Sequence, residues 1–174
     1  ILAVGLGAPD TGFAEFGEAT DRKQRAELLD EGLAIVAGLW RGQPFEFSGK
    51  HYQVKPSTFP PPPPPVQQPR IPVWVVGAWP SEKSMARVLR WDGLLPNKLN
   101  PGGAAGAATA DDVRAMKAYI DERRAAGTPF DIVVEGETPG DDPAAARAVV
   151  DPFAEAGATW WLEARWQAPS LDMV

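Results

Sequence analysis

The sequence predicts an α/β fold in which parallel strands alternate with helices. Five short apolar segments are interleaved with four segments of helical periodicity. The first two apolar segments, ILAVGLG (1–7) and VWVVGA (73–78), are almost continuously apolar, which is typical of parallel strands covered on both faces. An alternation of strand and helix indicates right-handed crossovers between parallel strands.

Each predicted element has its own boundary signals. The predicted strands are Ile1–Gly7, Val73–Ala78, Asp92–Pro96, Phe130–Gly136 and Thr159–Ala164. The predicted helices begin at residues of the N-cap type, which are Asp21, Ser81, Thr109 and Asp142. Within the first helix, apolar residues at helical spacing form one inner face, and they are Leu29, Leu33, Val36 and Trp40.

Two insertions interrupt the alternation. The first, Gln43–Ile71, holds a predicted strand pair (PFEFSGKHYQV) and then six prolines, Pro60–Pro65. Proline runs adopt polyproline II and cannot join a sheet ladder. We interpret this run as a stiff connector rather than a ligand for an SH3- or WW-type groove, because strand and helix signals resume on both sides. The second insertion, Asn97–Ala108, is predicted to be a Gly/Ala-rich loop.

Composition narrows the class of protein. The length of 174 residues fits a single domain, 1–174, and the formal net charge of -6 argues against nucleic acid or an anionic membrane as partner. The chain has no cysteine and one histidine, so we expect neither a cysteine nucleophile nor a metal site. No apolar run is long enough for a membrane span and no signal-peptide pattern occurs. We therefore expect a cytoplasmic protein that acts on a small molecule.

Two glycine-bearing turns are candidates for ligand binding. GLGAPDTG (5–12) resembles the start of a dinucleotide fingerprint, but Asp10 stands at the third glycine position and no helix opens there. In VWVVGAWPSEKS (73–84) a buried strand ends at Gly77-Ala78, and a helix capped by Ser81 follows. Free backbone N–H groups at a helix start bind phosphate, so the second turn is the better candidate for an anion site.

Other polar and aromatic residues give less specific signals. His51 has no acidic neighbour in the sequence, and a lone histidine is more often a surface or packing residue than a catalytic base. Carboxylates that follow the last two strands are either catalytic or paired with arginines such as Arg165, and they are Glu135, Glu137 and Glu163. Trp79 and Trp166 lie just after strands and either pack against helices or border an aromatic cofactor.

The segments taken in order resemble the bacterial luciferase-like monooxygenase family. The resemblance rests on the glycine-bearing strand exit with its EFGE turn (15–18), the LDEGL helix, the LWRGQPFEFSGKHY segment, the IPVWVVGAWP strand and turn, and the WDG strand. The ordered set covers nearly the whole chain.

The resemblance implies a (β/α)8 barrel and a flavin-dependent oxidoreductase. The expected cofactor is reduced FMN, with dioxygen as the second substrate, or alternatively a reduced deazaflavin coenzyme that takes part in hydride transfer. The resemblance implies that the cofactor phosphate lies at Gly77-Ala78 with Ser81 nearby, and that Gly5 and Gly7 border the ring system. Trp79 is the further cofactor-binding candidate, from its position just after the strand. The family usually has two glycines where this chain has Gly77-Ala78. No catalytic residue is assigned.

Five predicted strands make only part of such a barrel, which needs eight. The fold expected is therefore a partial TIM barrel with an insertion, residues 43–71, before its second strand. Exposed sheet edges invite pairing with another chain. We favour a fragment of a longer protein over two alternatives, which are a homo-oligomer paired through the open barrel edge and a non-catalytic scaffold.

Overall fold

The computed structural model describes residues 1–8, 12–42, 44–58 and 65–166, which form two compact units that divide between Pro72 and Val73. The polyproline run falls mainly outside the described residues. The prediction of one domain over the chain stays a prediction.

The first unit contains one long helix and a hairpin. Its elements are β1 (Leu2–Val4), α1 (Arg22–Arg41), β2 (Phe45–Ser48) and β3 (Gln53–Ser57). Asp21 caps α1 by accepting a hydrogen bond from the Gln24 amide at 2.8 Å, and Gly42 ends it with a φ of 119°. Strands β2 and β3 pair antiparallel, which confirms the strand pair predicted in the insertion.

The second unit is a parallel sheet with three helices. Its elements are β4 (Val73–Trp79), α2 (Glu82–Val88), β5 (Gly93–Leu99), β6 (Ala105–Gly106), α3 (Ala110–Arg123), β7 (Asp131–Gly136), α4 (Pro143–Glu155) and β8 (Trp160–Glu163). The parallel strands lie in the order β4-β5-β7-β8, with registers such as Trp74↔Gly93 and Val133↔Trp160. All five predicted strands are present, and the α/β prediction is confirmed, consistent with a partial TIM barrel.

The predicted Asn97–Ala108 loop is in part wrong. Strand β5 continues to Leu99, and β6 folds back to pair antiparallel with it. Gly102 and Gly103 have φ values of 92° and 85°, a conformation open to glycine, and so they turn the chain between the two strands. The glycine-rich composition of this segment predicts a loop, but the two glycines form the turn of a hairpin.

The two faces of this sheet have different neighbours. On one face, called here the helix face, the fully buried Met85, Val88 and Leu94 surround Gly77. The opposite face, called here the open face, carries the alternate residues of each strand. On it Trp74 packs against Trp160 with ring centroids 5.5 Å apart. The helix face is thus the core of the unit, while Trp160 on the open face remains 47% exposed.

In the described part of the chain, no helix has the length and apolar character needed to cross a membrane.

Candidate functional site

A recess lies on the open face, near the carboxyl ends of the parallel strands. Its volume is about 650 Å³, within the range of small-molecule sites. The walls are mainly small or aliphatic, and the most prominent lining residues are Val76, Leu95, Val133, Ala164 and Trp166. Carboxyl ends of parallel barrel strands are where ligand sites form, so this recess is the candidate site.

The loop corrected above contributes one wall of the recess. Strand β6 brings Ala105 and Gly106 beside the end of β5, and Ala107 and Ala108 continue along the recess. Because these residues have at most a methyl side chain, they leave room at the strand ends for a ligand.

Two polar side chains reach this otherwise apolar lining from neighbouring strands. Asn97 lies on β5 and Glu135 on β7, and both belong to the open face by the alternation of the strands. Among the described lining residues, Glu135 carries the only formal charge. Sequence reasoning did not single out Asn97, because it ended that strand at Pro96; counting in twos from Gly93 would have placed Asn97 on this face.

Two of the three strand-end carboxylates, Glu163 and Glu135, have different surroundings. Glu163 accepts hydrogen bonds from the Thr138 amide and hydroxyl, both at 2.8 Å, and lies 3.7 Å from Arg165. These contacts, led by the Thr138 amide, hold the pKa of Glu163 below its usual value. Glu163 is therefore a structural partner, whereas Glu135 lines the recess.

Gly77 and Ala78, two of the predicted cofactor contacts, are closely packed. Gly77 lies on the helix face, where an added Cβ would be 2.9 Å from Val88 Cγ2 and closer still to Leu94 Cδ1. The amide of Ala78 donates to the Ser84 hydroxyl at 2.8 Å. Packing against α2 and β5 therefore requires a residue without a side chain at position 77, whether or not a ligand binds at this turn.

Trp79 and Ser81 complete the same turn. The Trp79 ring meets the Tyr119 ring of α3 edge-on at 5.6 Å, which places it in the helix layer. The Tyr119 hydroxyl donates to Glu82. The pKa of Tyr119 is raised mainly by burial and, to a lesser extent, by this hydrogen bond. Ser81 occupies the N-cap position of α2, but its side chain forms no capping hydrogen bond. The prediction that Ser81 contacts a cofactor phosphate stays a prediction.

The other predicted cofactor contacts, Gly5 and Gly7, belong to the first unit, and both are exposed. Gly7 has a φ of 77°, and the space where a Cβ would project is filled by the Phe13 ring and the Arg25 guanidinium. That guanidinium stacks on the Phe13 ring at 4.3 Å. The prediction that these glycines border a flavin stays a prediction.

His51 has an acidic partner that the sequence did not reveal. Its Nε2 lies 2.7 Å from a carboxylate oxygen of Glu27, which also accepts from Lys50 Nζ at 2.7 Å. The Lys50 bond and then the His51 bond lower the pKa of Glu27 to about 2. One turn along α1, Glu31 accepts the backbone amides of Lys50, His51 and Tyr52 at 2.8, 3.0 and 2.9 Å. His51 therefore takes part in fixing the β2–β3 turn to α1.

The described residues contain no group of three or more His, Cys, Asp or Glu side chains able to hold a metal ion.

Comparison with known proteins identifies the family to which the chain belongs. No curated protein matches the chain. The family model described as luciferase-like monooxygenase matches residues 1–170 of the 174, a range that includes every helix and strand described above. Members of this family commonly use flavin, and membership indicates flavin-dependent oxidoreductase activity. On this match the chain belongs to the luciferase-like monooxygenase family.

Proposed function

We propose that the protein is a monooxygenase that uses reduced FMN and dioxygen on a small organic substrate. The observation that carries the proposal is the family match over residues 1–170. The recess supports it, because a largely apolar cavity lined by two polar side chains suits a small organic molecule.

One group at the β4–α2 turn, the Ser81 hydroxyl, fits the phosphate of such a cofactor. The Ser81 hydroxyl has no capping bond, so it is available to donate to a phosphate oxygen. The Ala78 amide is already bonded to Ser84, so it is not counted among the phosphate donors. When bound, reduced flavin would supply the electrons for the reaction with dioxygen.

The chain itself would orient the substrate and limit its contact with water. The aliphatic lining from Val76, Leu95 and Val133 would hold the apolar part of a substrate. Trp166, 80% exposed at the recess, has an indole surface that a bound molecule can cover. Removal of water strengthens the electrostatic contacts within such a site.

The proposal is tested by titrating the protein with FMN and following the quenching of flavin fluorescence. A Ser81→Ala variant should bind FMN about 10-fold more weakly, which corresponds to one hydrogen bond to a charged group. Ser48→Ala, an exposed serine of the hairpin, serves as the matched control and should bind as the wild type does.

Turnover separates the remaining alternatives. Oxygen consumption with reduced FMN and candidate substrates is expected, and binding of a deazaflavin coenzyme in preference to FMN would indicate hydride transfer instead. Absence of binding even at millimolar concentrations of either cofactor would refute the proposal and favour a non-catalytic scaffold.

A further inference from the structure

Glu135 differs from the other carboxylate on the open face. Asp131 lies lower on the same strand and accepts hydrogen bonds from the indole N–H groups of Trp74 and Trp160, each at 3.1 Å, and from the Thr159 hydroxyl. Within the part of the chain that the structure describes, the Glu135 carboxylate has neither a hydrogen-bond nor an ion-pair partner. The carboxylate is exposed in the open recess.

A ligand that fills the recess changes this situation. It removes water from a carboxylate whose walls are aliphatic, and an ionised carboxylate without a partner in apolar surroundings is costly. The described lining contributes no lysine or arginine, so these residues offer no counter-charge to Glu135. A cationic group of the ligand would supply that counter-charge.

We propose that Glu135 selects a substrate that carries a protonated amine, as a substrate-contacting specificity residue of the recess. The ammonium group would donate to the Glu135 carboxylate, and Asn97 on the adjacent strand offers an amide oxygen as a second acceptor. The Trp166 ring at the recess adds a surface for cation–π contact. The apolar remainder of the molecule would lie against Val76 and Leu95.

This assignment rests on the proposed function for the idea that the recess holds the substrate. It also separates the substrate from the cofactor phosphate, because a phosphate dianion beside Glu135 would be repelled. Ser81, at a turn that does not line the recess, remains the residue proposed for the phosphate.

Three probes with the same six-carbon chain test the proposal by direct binding, without flavin. They are hexylamine, hexanol and hexanoate, titrated at pH 7 by calorimetry and by tryptophan fluorescence. We expect hexylamine to bind about 10-fold more tightly than hexanol, and hexanoate to bind most weakly. Glu135→Gln should reduce the preference for the amine over the alcohol to about 2-fold or less.

Glu137→Gln is the matched control, because Glu137 is exposed two residues further along the chain and does not line the recess. This control should keep the full preference for the amine. Equal binding of the three probes, or a preference that Glu135→Gln leaves intact, would overturn the proposal. A loss of FMN affinity in Glu135→Gln with unchanged amine binding would also overturn it, by making Glu135 a cofactor contact.

The two proposals fail in different measurements. Failure of FMN binding with an intact, Glu135-dependent preference for the amine would count against the proposed function alone. Normal FMN binding with no preference for the amine would count against the role of Glu135 alone.

Discussion

Replacement of Gly77 by alanine should destabilise the second unit through packing. The new methyl would lie 2.9 Å from Val88 Cγ2, 3.3 Å from Met85 Sδ and nearer still to Leu94 Cδ1, and all three side chains are fully buried. Overpacking a close-packed core costs about 1–3 kcal/mol, and the lower entropy of the unfolded alanine chain returns about 0.4–1 kcal/mol. We expect a net loss of about 1–2 kcal/mol and a fall in Tm of roughly 3–6 °C.

Urea denaturation followed by tryptophan fluorescence measures this loss. The midpoint should fall with an unchanged m-value, because the amount of surface exposed on unfolding stays the same. Gly32→Ala is the matched control: Gly32 lies inside α1 with nothing within 4 Å of an added Cβ, so alanine should stabilise the chain by about 0.5–1 kcal/mol. Wild-type stability of Gly77→Ala together with weakened FMN binding would refute the packing argument and favour a direct cofactor contact.

Three further changes test other contacts. Thr109→Ala removes the cap of α3 and should cost about 1 kcal/mol in a urea titration; an unchanged midpoint would contradict the cap. Glu27, with a pKa lowered to about 2 by the bond from Lys50 and then by that from His51, contributes stability that is complete above its ordinary value of 4.5 and is lost as the pH falls through about 2. An NMR titration of the Glu27 carboxyl carbon should show this midpoint, and Lys50→Ala should move it toward 4.5; a midpoint that stays near 2 in the variant would refute the role of Lys50. Arg124→Met removes donors to two backbone carbonyls beyond α2, at 2.8 and 2.9 Å, and should lower the free energy of unfolding by about 1–2 kcal/mol, again read from the urea midpoint, whereas wild-type stability would show that these bonds contribute nothing.

The sequence predicted those features that local chemistry determines. Thr109 caps α3 as predicted and forms a capping box with Asp112, in which the Asp112 amide donates to the Thr109 hydroxyl at 3.2 Å and the Asp112 carboxylate accepts the Thr109 amide at 2.8 Å. Asp142 likewise caps α4, in front of Pro143. Caps are predictable because donor and acceptor lie within three residues of each other along the chain.

Contacts between distant segments were not predictable in this way. Glu27 and His51 are 24 residues apart, and nothing in either segment alone indicates that the hairpin turn lies over that part of α1. Glu31 is one helical turn further on, so its three bonds to the hairpin backbone follow once the first contact is known. Such pairs depend on tertiary packing, which the local pattern of residues around either partner does not reveal.

The alternation of the strands separates stability from function in the second unit. Gly77 and Leu94 point to the helices, where close packing restricts which residues fit. Asn97 and Glu135 lie on the opposite face, where no helix of the described chain packs against them. Polar side chains at these two positions therefore cost the fold little stability. In the sequence, a glycine at a strand end suggests a ligand contact, yet at Gly77 the close packing against α2 and β5 is enough to explain why glycine is present. The residues of this sheet that are free to vary with the ligand are those that do not pack against the helices.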